Sequence, residues 1–173
     1  MGRIVLRLSE ALYNAAWAHL RPEASTLEEA GFLYGTADHV GEGIEFTAFE
    51  WRGIQPHEFA TRNEYFIELD DDVRAGVIKR AHNLNACLIE FHTHPMPGGA
   101  CFSPSDIKGL KELAPQLLWR LKKRPYVAVV VAPDGLDALA WTSEGVRQVD
   151  GILVDARPLL PASRRTLTTR YAP

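Results

Sequence analysis

Only two cysteines, Cys87 and Cys101, occur in the 173 residues, too few for the disulfide framework of a small secreted domain. No apolar run approaches the length that crosses a bilayer. Positive charge is not in excess: the formal net charge is −3, which gives no overall basic field for gripping nucleic acid. No internal repeat is visible. Residues 1–10 are too short and too interrupted by arginine for a secretory signal. These absences predict a cytoplasmic, reducing location with no membrane partner.

The chain is 46% apolar and 24% charged, as in an ordinary soluble globular protein, and is long enough for one domain with one core. Residues 3–8 predict a strand. Ser9 then caps a helix with apolar spacing at Leu12, Ala16 and Leu20, running to about His19. Residues 31–35 and 43–51 predict two strands joined by a polar link over 36–42. Residues 52–63 read as an irregular segment and 65–69 as a short strand. Asp70, Asp71 and Asp72 then open a helix, where the macrodipole favours acids, running to about His82. Residues 86–91 predict a strand that leads directly into two histidines.

A helix start follows at 103–106, with proline tolerated in its first turn. It carries Ile107, Leu110, Leu113 and Leu117, and Pro115 should kink or split it. The nearly continuous apolar run 126–132 predicts a buried strand, with shorter strands at 136–142 and 145–149. From Arg157 onward the chain reads as a loose tail. Its arginines, 157, 164, 165 and 170, also suit an acidic partner. The order of elements is that of a mixed α/β (α+β) domain.

The chemistry concentrates in residues 90–106. His92 and His94 are two apart, so a strand puts both imidazoles on one face, as two metal ligands require. A bland pair of surface histidines is the alternative. Context favours the metal: a Pro- and Gly-containing loop, 95–99, can bring Asp106 back to the histidines. Two histidines, one carboxylate and an open position suit a catalytic zinc better than a closed structural site. Asp106 has a competing role as a first-turn acid in a helix capped by Ser103 or Ser105. Ser103 can also donate a hydroxyl to an oxyanion. A hydrolase of this kind needs a general base, and composition leaves Glu28, Glu29, Glu50 and Glu90 open.

The pattern resembles the JAB/MPN domain with the JAMM metalloprotease signature: an upstream glutamate, His-(Ser/Thr)-His-Pro, then Ser-x-x-Asp. Here these are Glu28 within Glu-x-x-Gly-x-Leu-x-Gly, then His92-Thr93-His94-Pro95, then Ser103 to Asp106. The resemblance covers residues 3–150. It implies one JAB/MPN domain over 1–155 followed by a tail over 156–173. It implies a central mixed β-sheet flanked by about three helices, layered as in cytidine deaminases. It also implies one catalytic Zn²⁺ on His92, His94 and Asp106, with Glu28 as the base and Ser103 as the oxyanion donor. Glu29 is then expected to be a solvated surface charge.

The loop from Pro95 to Phe102 is one residue longer than the family's usual spacing, which a loop absorbs at little cost. No histidine or cysteine follows Asp106, so a second zinc is not expected. The short chain looks like the bacterial branch of the family. The implied function is a deubiquitinase-like isopeptidase acting at the C-terminal tail of a ubiquitin-like protein. The setting is a conjugation system of the antiphage type, with E1-like and E2-like proteins as partners. Alternatives are a sulfur-carrier-processing peptidase and a non-catalytic or nucleic-acid-associated module, the latter disfavoured by the net charge.

Overall fold

The computed structural model describes residues 2–173. The elements are β1 (Ile4–Leu8), α1 (Glu10–Leu20), β2 (Ala30–Val40), β3 (Gly43–Gly53), β4 (Phe59–Arg62) and β5 (Ile67–Leu69). They continue with α2 (Asp71–Asn83), β6 (Cys87–Thr93), α3 (Pro104–Arg120), β7 (Tyr126–Ala132), β8 (Gly135–Thr142), β9 (Gly145–Gln148), β10 (Gly151–Val154) and β11 (Leu160–Pro161). Nine strands form one mixed sheet in the order β11-β10-β1-β3-β2-β6-β7-β8-β9, and β4 with β5 makes a separate hairpin. Leu136 bridges Ala162, so the two ends of the sheet approach each other and the sheet is curled.

Strand alternation divides the core. Cys87, Ile89 and Phe91 of β6 and Val127, Val129 and Val131 of β7 pack into one cluster, which α1 covers with Leu12, Tyr13, Trp17 and Leu20. Leu88 of β6 and Tyr126, Ala128 and Val130 of β7 join the cluster under α2 and α3. The second face is the one that Glu90, His92 and His94 share by their spacing.

The helix starts are where the sequence puts them. Ser9 Oγ accepts from Leu12 N, and Asp70 Oδ1 accepts from Asp72 N at 3.0 Å. The α3 helix runs through Pro115 as one continuous helix rather than splitting there. Pro115 and Lys111 are both exposed, so the Lys111 carbonyl, left without a proline N–H partner, can be hydrated.

The polar link expected over 36–42 is mostly strand: Thr36 to Val40 pair with Thr47 to Gly43. The β2 side of this stretch is largely exposed, whereas Ile44 and Phe46 of β3 are buried, so residues 36–40 present no apolar face for a sequence reading to detect. The 52–63 segment is also ordered. It finishes β3, makes a 3₁₀ turn over Pro56–Glu58 and forms β4.

The expected loose tail is docked. Ile152 of β10 pairs with Leu160 of β11, and Thr166 is fully buried. Three of the tail's arginines are paired within the chain: Arg157 with Glu10, Arg164 with Asp150, and Arg165 with Asp134 at 3.0 Å. These pairs reduce the tail's capacity to hold an acidic partner. No helix among the described residues is long and apolar enough to cross a membrane.

Candidate metal centre

His92 lies inside β6, and His94 continues its ladder, its N–H donating to Val131 O at 2.8 Å. Neighbours β2 and β7 flank β6 on both sides, which holds the imidazoles on rigid backbone. Asp106 is the third residue of α3 in a capping box. Ser103 Oγ accepts from Asp106 N at 3.1 Å, and Asp106 Oδ2 accepts from Ser103 N at 2.7 Å. The two readings of Asp106 are therefore compatible, because the oxygen that caps the helix also faces the histidines.

His92, His94 and Asp106 form a group able to hold a metal ion. His92 Nε2 and His94 Nε2 are 3.2 Å apart. Asp106 Oδ2 lies 3.5 Å from the former and 3.2 Å from the latter. A tetrahedral ion with bonds of about 2.0–2.1 Å has ligand–ligand edges of about 3.3 Å. The three atoms match one face of such a tetrahedron, with the fourth vertex open. Lone-pair atoms this close require positive charge between them, either a shared proton or a cation. Burial alone would raise the Asp106 carboxyl, but the two imidazoles hold it well below the usual carboxylate range. A persistently ionised carboxylate is a ready ligand.

Glu28 lies beside this group, with Oε1 3.8 Å from His94 Nε2 and its side chain only 4% exposed. Burial pushes its carboxyl upward, the histidines oppose the shift, and Asp106 adds to it. The raised value favours proton uptake from water. Of the other candidate bases, Glu50 pairs with Arg80 at 2.7 Å. Glu90 accepts from Tyr126 Oη at 2.8 Å and lies 3.5 Å from Arg74 Nη1.

Glu29 is not a solvated charge. It is 6% exposed and bonded to Arg62, and its backbone N–H donates to Thr93 Oγ1 at 2.8 Å.

Two residues that the sequence reading missed hold the backbone at Glu28 and Glu29. Arg62 Nε donates to Glu28 O at 2.8 Å. Thr93, fully buried between the two histidines, accepts from Glu29 N. Glu28 N also donates to Asn63 O at 3.0 Å. The signal for Arg62 was a basic residue at the end of a supposed loop, which carries no local pattern.

A cleft of about 390 Å³ opens onto His92 and Asp106. The β4–β5 hairpin, through Phe66 and Leu69, forms one wall, and the first turns of α3 form the other. Glu68, Asp71, Glu90 and Glu112 also line it, against Arg74 alone among basic residues.

No protein-family model and no curated protein matches this chain. Among solved structures, it is similar to the solution structure of protein DSY2949 from Desulfitobacterium hafniense. The two share 16% identity over 89% of this chain and 94% of that one, with a TM-score of 0.52. That likeness concerns the mixed α/β fold.

Proposed function

We propose that this protein is a zinc-dependent isopeptidase of the JAB/MPN type, with cytidine-deaminase-like layering. It acts on the amide bond that follows the C-terminal tail of a ubiquitin-like protein. The observation that carries the proposal is the tetrahedral face formed by His92, His94 and Asp106, with Glu28 poised 3.8 Å from His94. The edges of that face, 3.2–3.5 Å, accommodate zinc with nitrogen and oxygen ligands.

Zinc in that position supplies a Lewis acid and lowers the pKa of water toward neutrality. The residues of the chain do the rest. Glu28 accepts a proton from the attacking water and returns it to the leaving amine. Ser103 Oγ already accepts from Asp106 N, so its own proton is free to donate to the developing oxyanion. The cleft wall along the β4–β5 hairpin offers room for an extended peptide, and strand addition to such an edge is an established recognition mode.

A bacterial conjugation system, with E1-like and E2-like partners and a cytoplasmic setting, is the context this reading favours. A sulfur-carrier-processing peptidase would use the same groups on a different substrate. A nucleic-acid module is disfavoured by five acids lining the cleft, Asp106 among them, against one arginine, which repels phosphate.

The test is incubation with fusions of candidate ubiquitin-like proteins, with and without a chelator. Chelator-sensitive cleavage after the terminal residue of the tail is expected. Cleavage that persists without metal would sink the mechanism. Failure to bind zinc would sink the metal assignment.

A further inference from the structure

The docked C-terminal segment does more than cover the sheet. Asp137 of β8 is fully buried. Its Oδ1 accepts from Ala138 N, Gln148 Nε2 and Arg164 N. Its Oδ2 accepts from Thr166 N at 2.9 Å and Thr166 Oγ1 at 2.8 Å. With its proton so committed, Thr166 Oγ1 accepts from Phe102 N at 3.0 Å.

Phe102 is the last residue of the long loop between His94 and Ser103. It is itself fully buried, and its ring lies 5.7 Å from that of His92. The same loop is held twice more. Ser163 Oγ donates to Ala100 O at 2.5 Å. Ala100 N donates to Asp134 Oδ1 at 3.0 Å, while Oδ2 of the same Asp134 receives Arg165.

We infer that the C-terminal segment is a latch on the metal centre, with Thr166 as a positioning residue. It ties Asp137 to Phe102 and thereby fixes the segment from Ala100 to Asp106. The loop needs such a device, because it joins two ligand-bearing elements without secondary structure of its own. Its residue nearest the caps, Phe102, has an N–H that no strand or helix uses. The buried carboxylate of Asp137 gives the hydroxyl of Thr166 a fixed direction, so the bond to Phe102 is preorganised rather than incidental. Ser103 and its capping box begin one residue later. A shift of the loop therefore moves the oxyanion donor, the Asp106 ligand and the ring packed on His92 together.

The purpose assigned to the latch rests on the metal reading proposed above, but its test does not. Thr166→Val keeps the shape and removes both side-chain bonds; Thr166→Ser keeps them. Val154→Ala, in the buried part of β10, supplies a comparable loss of stability away from the loop. Hydrogen exchange of residues 100–106 is measured in the metal-free protein, and zinc affinity by competition with a chromophoric chelator.

In Thr166→Val, exchange in that segment is expected to speed about tenfold, as loss of one buried hydrogen bond implies. Zinc affinity is expected to fall about tenfold, as when groups supporting metal ligands are removed. Thr166→Ser should restore both, and Val154→Ala should leave both unchanged. Unaltered exchange in Thr166→Val, or an equal change in Val154→Ala, would overturn the latch. If the parent protein binds no zinc, the metal reading falls, and the exchange measurement alone decides the latch.

Discussion

Replacing Arg62 by methionine separates the two things this residue does. Its side chain is 15% exposed and the side chain of its partner Glu29 8%. It also donates to the Glu28 carbonyl and lies over the Phe59 ring at 5.2 Å. An exposed ion pair contributes at most about 1 kcal/mol. Removing one member of a buried pair costs about 3–5 kcal/mol, because the other charge stays desolvated. Here the stranded Glu29 Oε1 would keep only the Ser25 hydroxyl, at 3.3 Å.

The expected loss for Arg62→Met is therefore about 3 kcal/mol or more. At roughly 2–4 °C per kcal/mol for a chain of this size, the midpoint should fall by about 10 °C. Urea denaturation and thermal melts measure it. The double variant Arg62→Met/Glu29→Leu removes both charges and should return to within about 1 kcal/mol of the parent. It should still turn over slowly, because Glu28 no longer has its carbonyl held. A single-variant cost under about 1 kcal/mol would show that the pair is solvent-screened. That result would refute the argument for a rigid base, as would a double variant with full turnover.

Two further predictions follow from the site and the core. Glu28→Gln should bind zinc as the parent does and lose turnover by about 10²–10⁴-fold; activity near that of the parent would remove Glu28 from the base role. Cys87 is 1% exposed and burial pushes its thiol up to about 12, whereas Cys101 is partly exposed. At pH 8 a thiol reagent should titrate Cys101 alone in the native protein and both cysteines in denaturant. Immediate reaction of two thiols in the native protein would contradict the placement of Cys87.

Features with local physical causes were legible in the sequence. The run over β7, buried throughout, announced a central strand. The caps Ser9 and Ser103 announced helix starts because a side-chain oxygen three residues from its N–H partner is a sequence pattern, and the acidic run from Asp70 announced another through the macrodipole. The candidate metal ligands were legible for the same reason: a strand's period of two aligns His92 with His94, and a capping box places Asp106. Gly31 in the upstream motif also has a packing cause. A Cβ there would meet the Trp51 ring at 2.2 Å, so the position admits no side chain without moving the indole.

What escaped the sequence was polar and long-range. Thr166 reaches Asp137 across 29 positions, and Arg62 reaches Glu29 across 33. Neither leaves a periodicity, and an arginine-rich, proline-containing terminus looks alike whether solvated or docked. Glu28 was singled out from the other glutamates only by family resemblance, since nothing local distinguishes a base from its neighbours.

This division has a consequence for how the site should fail. The ligands stand on a strand flanked on both sides and on a capped helix, so their positions follow from secondary structure. Asp106 Oδ2 has two lone-pair directions, one taken by Ser103 N–H and the other left for an ion to take, and the helix N-terminus favours its negative charge. Glu28 precedes β2 and has no such frame. Its backbone is fixed by Asn63, by Arg62 and, through Glu29, by Thr93. Substitutions in the β4–β5 hairpin around Arg62 and Asn63 should therefore impair turnover before metal binding, and substitutions around Thr166 should impair both together. The order in which the two functions are lost identifies which half of the centre a given change has reached.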